Sequence, residues 1–230
     1  MGPVTEVVLL TLVPDADYAV VTESAKIIAR QPGCLAVRTS RLLCEPDNNN
    51  SSSSNRVHYF IDWDSVDSHT AFARDKDVYQ PFRDLVGTVM AGYAPPYHVA
   101  LEPYPPAVFD GGGVAMVGKA WFPPRGGESD SAEEEEEEAS TALDTFVEAL
   151  KGTARGFDGR VGKAWSLEDG IMYKGEKGRV LFFAVGWDSV EACARFRDSA
   201  DFTEAVAGVS AVYGLRGLEI CLVSTEDATA

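Results

Sequence analysis

The stretch "IDWDSVDSHTAF" (61–72) returns later in the same chain as "VGWDSVEACARF" (185–196). Trp63, Asp64, Ser65, Val66 and Phe72 recur as Trp187, Asp188, Ser189, Val190 and Phe196, and Asp67 is matched by Glu191. Self-similarity at so long a period marks a duplicated unit. Before each copy, "VHYFIDW" (57–63) and "VLFFAVGW" (180–187) are rich in β-branched and aromatic residues and predict strands. After each, Asp64-x-x-Asp67 and Asp188-x-x-Glu191 resemble capping boxes, with the first Asp accepting from free backbone N–H groups. A strand therefore runs straight into a helix twice.

Working outward, "VTEVVLLTL" (4–12) predicts a first strand, and apolar spacing over 16–30 a helix stopped by Gln31-Pro32-Gly33. "LAVRTSRLLC" (35–44) and 57–63 predict two further strands, 65–91 helix, and "YHVALEP" (97–103) the last strand. The second half repeats the order, with strands at 114–122, 160–167, 180–187 and 217–223 and helices at 139–154 and 189–210. Two βαββαβ units of the ferredoxin-like kind follow, in an α+β fold. Several strands are apolar on both faces, so a bare second sheet face would expose a large apolar patch. Packing the two sheets against each other inside one chain removes it, as an intramolecular α/β barrel. The expected boundaries are 1–103 for the first repeat, 104–113 for a linker and 114–230 for the second repeat. "PDNNNSSSSN" (46–55) is expected to be a mobile loop, 123–140 an acidic insertion and 224–230 a tail.

Acidic residues outnumber basic ones, 36 to 20, for a formal charge of −16, with Glu133 to Glu138 unbroken. That balance disfavours nucleic acid and anionic membranes as partners. Glu6 interrupts the first apolar run, so no secretory leader is expected, and no stretch has membrane-spanning length. The four cysteines form no C-x-x-C pair, and a reducing cytoplasm is the expected location.

The βαββαβ order twice over, the Pro-Gly stop after the first helix and the Trp-Asp-Ser junction resemble the dimeric α/β-barrel superfamily, closest to its antibiotic-biosynthesis-monooxygenase-like domains. The resemblance covers 4–103 and 114–223. It implies cofactor-free oxygenases of aromatic polyketides, polyketide cyclases, haem-degrading enzymes or proteins of no known chemistry, with ligands often held between a sheet and its own helices. Some cyclases there use a Tyr and a His-Pro-x-His stretch. Here the matching stretches read "RDKDVYQPF" (74–82) and "RDSADFTEA" (197–205), without histidine. The second half has no histidine to ligate haem.

Three histidines exist: His58, His69 and His98. His58, inside a strand, is the first candidate general base, since imidazole titrates near neutrality. Tyr59 is the second candidate, although strand alternation sends it to the opposite face. His69 matches Cys193 and reads as packing; His98 is the weaker candidate. Their spacings fit no local metal motif, so no metal and no cofactor are expected. Trp63, Tyr79 and Arg38 would line a cleft for a flat aromatic ligand. "VGKAW" occurs at 117–121 and 161–165, and Lys119 with Trp121, or Lys163 with Trp165, could hold an acidic or phenolic ligand by charge and stacking. The expected function is a tailoring enzyme for an aromatic or polyketide-like small molecule, of cofactor-independent monooxygenase or cyclase type. The alternative is a noncatalytic ligand-binding or stress-responsive barrel. The first half, with every histidine, is the better place for the site. The expected state is a monomeric pseudo-dimer, with further self-association left open.

Overall fold

A computed structural model describes residues 2–44, 55–110, 113–126 and 131–228. Most of the polar loop at 46–55 lies outside these described residues. The first unit runs β1 (Val4–Leu12), α1 (Tyr18–Ala29), β2 (Cys34–Cys44), β3 (Arg56–Trp63), α2 (Val66–Arg74), α3 (Lys76–Gly87) and β4 (Met90–Val99). After a short 3-10 turn (Ala107–Phe109), the second runs β5 (Val114–Phe122), α4 (Ser131–Thr153), β6 (Phe157–Trp165), β7 (Ile171–Tyr173), β8 (Glu176–Trp187), α5 (Val190–Arg197), α6 (Ala200–Ser210) and β9 (Gly217–Asp227).

The strands order as β4-β1-β3-β2 in the first unit and β9-β5-β8-β6 in the second, with β2 hydrogen-bonded to β9. At the other edge, bridges Val99↔Ser166 and Glu102↔Lys163 close the ring. The inner faces of both sheets share one apolar interior that includes Val7, Phe60, Tyr97, Val117, Phe182 and Val223. Each outer face is covered by its own helices. One core lies under α1–α3, around Val21, Ile28, Trp63 and Phe72. The other lies under α4–α6, around Phe146, Phe183, Trp187 and Phe196. No helix among the described residues is long and apolar enough to cross a membrane.

The repeated junction forms the same turn twice. Gly33 and Gly156 take φ of 81° and 93°, and their carbonyls accept from the Asp64 and Asp188 N–H groups, both at 2.8 Å. A Cβ on Gly33 would sit 2.4 Å from Ser68 Oγ, and one on Gly156 2.5 Å from the Ala192 Cβ. Only glycine meets both demands. The caps themselves are Ser65 and Ser189, which accept from the N–H groups of Ser68 and Ala192. The aspartates predicted as caps sit one residue earlier, and Asp64 instead accepts from the Ser68 hydroxyl at 2.5 Å.

Three elements differ from the pattern's prediction. Helix α4 starts at Ser131 rather than 139, so the acidic run is helical. Strand β4 runs Met90–Val99, although 65–91 reads as helix and the last strand is predicted only at 97–103. It tolerates Pro95 and Pro96 because its ladder to β1 is broken between Val7 and Leu9 and, among the described residues, its far side meets the second unit at the isolated Val99↔Ser166 bridge. The short β7 pairs with β8 through a tight turn at Lys174-Gly175, both with positive φ.

Candidate functional site

The outer face of the first sheet and helices α2 and α3 enclose a cleft of about 380 Å³. Val8, Leu10, Ile61, Phe72, Phe82 and Met90 give it apolar walls, and Gln80 and the exposed Arg83, Asp84 and Tyr93 also border it. Two ionisable groups meet in this lining, Glu6 and His69.

Strand register places the polar groups. Along β1, Val4, Glu6 and Val8 face the helices, and Glu6 lies between Ile61 of β3 and His98 of β4. His69, on the first turn of α2, comes down onto this pair because Ser65 caps the helix four residues earlier. Trp63 Nε1–H donates to Glu6 Oε2 at 2.9 Å. Glu6 Oε1 lies 3.3 Å from His69 Nε2. His69 Nδ1 lies 2.8 Å from His98 Nε2, and His98 Nδ1 lies 2.6 Å from Glu168 Oε1. Glu168 follows β6 in the second unit, where Leu167 N–H donates to the His98 carbonyl at 2.8 Å. The barrel seam thus brings a second-unit carboxylate to a first-unit site.

Burial sets the electrostatics. It pushes the Glu6 carboxyl up, against the Trp63 hydrogen bond. Burial, reinforced by His98, pulls the His69 imidazole down to about 4, so it is neutral near pH 7. Burial also opposes ionisation of Glu168, but the hydrogen bonds from His98 outweigh it and hold that carboxyl below its ordinary value.

Glu6, His69 and His98 are also a two-histidine, one-carboxylate donor set, with atoms within 4.8 Å of one another. A tetrahedral ion with bonds of about 2.1 Å needs donors about 3.4 Å apart and aimed at one point. His69 instead turns its two nitrogens to two different partners. Head-to-tail contacts suit proton transfer better than chelation. The local spacings behind the no-metal expectation do not reveal this cluster, whose members come from two strands and a helix.

The second unit lacks the cluster. Val114 faces Trp187 as Val4 faces Trp63, which makes Met116, between Val185 and Leu222, the counterpart of Glu6. Leu222 then stands for His98 and Cys193 for His69. Trp187 Nε1 has no hydrogen-bond partner among the described residues, as expected with Met116 in place of an acceptor. Phe183, the counterpart of Tyr59, lies over Gly118, where a Cβ would come within 1.9 Å of its ring. The cavity there, bordered by Met116, Cys193 and Leu222, is only about 20 Å³.

The residues predicted from sequence scatter. Tyr59 and Tyr79 line the cleft, but the Tyr59 hydroxyl is tied beneath α1 to Ser24 Oγ at 2.8 Å. Trp63 lies behind the lining, stacked on His69 and Phe72. His58 points into the barrel interior, 3.4 Å from Lys119 Nζ, and cannot reach the cleft. Arg38 is engaged with Asp62 and Asp110, both at 2.7 Å. Trp121 stacks on Tyr173, whereas Lys163 pairs with Asp144 and Trp165 lies under Arg179, on the outer face of the second sheet. The two VGKAW copies thus face opposite sides, and neither borders the cleft. Glu6 and Glu168 were missed. The repeat could have exposed Glu6, since "VTEV" aligned on "VAMV" sets an acid against Met116.

No protein-family model matches the chain, and no curated protein matches it by sequence. Solved structures do. An anthrone oxidase-like protein aligns over 100% of this chain and 95% of its own, with a TM-score of 0.60 and 18% identity. A candidate monooxygenase from Lactobacillus acidophilus NCFM aligns over 98% and 94%, at 0.55 and 9%. Another from Fusobacterium nucleatum aligns over 97% and 92%, at 0.54 and 9%. At such identities the likeness is one of fold. The chain has the dimeric α/β-barrel fold, with both halves of the barrel in one polypeptide.

Proposed function

We propose that this protein is a small-molecule enzyme of cofactor-independent oxygenase type, acting on a flat, apolar substrate with an acidic C–H or O–H group in the first-unit cleft. The supporting observation is the buried Glu6 paired with the half-buried His69 at the cleft, both replaced, by Met116 and Cys193, where the fold repeats. Buried ionisable groups are costly, so a fold that manages without them in one half has no structural need of them in the other. The Glu6–His69 pair accepts the substrate proton. The resulting carbanion or enolate reduces dioxygen. A ring CH₂ then becomes C=O, with one oxygen atom retained and the other leaving as water.

Anthrone, the compound in one structural neighbour's name, is a suitable probe: it is tricyclic and acidic, and its oxidation to anthraquinone is visible by absorbance. Turnover under air that falls by about 10² or more in His69→Ala would support the reading, since a positioned base contributes about 10²–10⁴. An absence of both turnover and saturable binding of anthrone would overturn it.

A further inference from the structure

We propose that Glu6, His69, His98 and Glu168 form a directed proton path from the cleft to the protein surface, with Glu168 of the second unit holding both histidines as Nδ1–H tautomers. Its catalytic use rests on the function proposed above, whereas the tautomers can be read with no substrate present.

The direction follows from the outer end inward. Glu168 Oε2 accepts the His98 backbone N–H at 2.9 Å, and Oε1 lies 2.6 Å from His98 Nδ1. A carboxylate only accepts, so Nδ1 of His98 carries a proton, and in the neutral ring its Nε2 is bare. That bare nitrogen, 2.8 Å from His69 Nδ1, must accept in turn. His69 therefore also carries its proton on Nδ1 and turns a bare Nε2 to Glu6. Glu6 Oε2 already accepts from Trp63. The proton joining Glu6 to His69 thus sits on Glu6 Oε1, and burial of that carboxyl favours this protonated form. With Glu168 as the carboxylate and both rings neutral, every donor and acceptor along the line is matched only in this arrangement.

Three protons each move by one hydrogen bond: Glu6 Oε1 to His69 Nε2, His69 Nδ1 to His98 Nε2, and His98 Nδ1 to Glu168. The shift leaves a carboxylate facing the cleft and a carboxylic acid at Glu168, whose side chain is 38% exposed and can pass its proton to water. The reverse shift reloads Glu6. Tyr79, Arg83 and Asp84 of α3 and Tyr93 of β4 are further titratable or charged groups in the cleft lining. The Tyr59 hydroxyl is turned away to Ser24 and the Val21 carbonyl. Glu168 is therefore a positioning residue and the exit of the path, supplied by the half whose equivalent cavity is only about 20 Å³.

With only three histidines, the full chain labelled with ¹⁵N-histidine gives a long-range ¹H–¹⁵N spectrum in which each ring can be assigned. The expected result is Nδ1 protonated and Nε2 bare in both His69 and His98, against the intrinsic preference of neutral imidazole for Nε2–H. In Glu168→Ala, both rings should lose that pattern while His58, on the other sheet face, stays unchanged. Turnover of the tricyclic probe should fall about tenfold or more, with KM retained. An Nε2–H tautomer at either ring of the unaltered protein would overturn the proposal, as would a His69 signal indifferent to Glu168→Ala. Tautomers lost but turnover undiminished in that variant would remove the exit role alone, and no turnover in any form would fail the function proposed above while leaving the tautomers standing.

Discussion

Met116, Cys193 and Leu222 hold, in the second unit, the places of Glu6, His69 and His98. The same backbone thus carries an apolar and an ionisable version of one cluster. Glu6→Met copies the apolar version, removes a buried carboxyl and leaves one Trp63 N–H unpaired, as already happens at Trp187. The Tm of Glu6→Met should stay within about 5 °C of the parent, a span of about 1–2 kcal/mol at this length, while probe turnover falls by about 10² or more. His58 lies on the other face of the sheet, in the barrel interior. Burial holds its imidazole well below the ordinary value, with Lys119 and Arg56 adding repulsion. The unfolded chain takes up that proton below about pH 6.5 and the native chain does not. Its contribution to stability is therefore present above that pH and lost as pH falls, by up to about 1.4 kcal/mol per pH unit. Urea midpoints measured from pH 7 to 5 should fall less steeply in His58→Phe than in the parent. Sequence alone ranked His58 first because a strand histidine beside aromatics resembles a pocket base. The side of the sheet that holds the pocket is set by helices distant in sequence. Alternation alone cannot say which.

Elements near the acidic run show the same limit. Six consecutive glutamates lie in the expected acidic insertion, yet Glu135 and Glu136 both pair with Arg179 of β8, whose side chain is 1% exposed. Arg179 also lies over Trp165, 4.7 Å from the ring centroid, and donates to the Pro123 carbonyl at 3.0 Å. Helix α4 is pinned by its first turns, and its early start has a partner more than forty residues away that composition cannot show. The two ways of breaking this contact should differ. Glu135→Gln with Glu136→Gln strands a buried cation and should cost about 3 kcal/mol or more, roughly 6–12 °C in Tm. Arg179→Met leaves carboxylates that can turn to water and should cost less than half as much. Thermal melts of the two variants side by side would decide, and equal losses would contradict this account of α4. The strand-to-helix junctions were legible because their signals are local: aromatic strand, Trp-Asp-Ser, capped helix. The cap register slipped by one residue because Asp and Ser are both good caps and adjacent.

At the scale of the molecule, the inference from two-sided apolar strands holds: the sheets bury each other's inner faces. Their edges also join, through the β2–β9 ladder and the Val99↔Ser166 seam, and so close the intramolecular barrel that the sequence predicts. We propose the sequence-derived boundary at 103 as the end of the first unit. Residues 1–103 alone would then expose Val7, Phe60, Tyr97 and Val99. Size-exclusion chromatography should find that fragment as a dimer or larger, and a folded monomer would contradict the shared interior. The seam is also what carries Glu168 to His98, so closure of the barrel completes the site. The most direct test of the whole account is a crystal structure of the full chain with the tricyclic probe bound. The ligand should lie under α2 and α3, its acidic carbon or oxygen within hydrogen-bonding reach of Glu6 or His69. A ligand seated in the barrel interior by His58 and Lys119, or under α5 and α6, would contradict it.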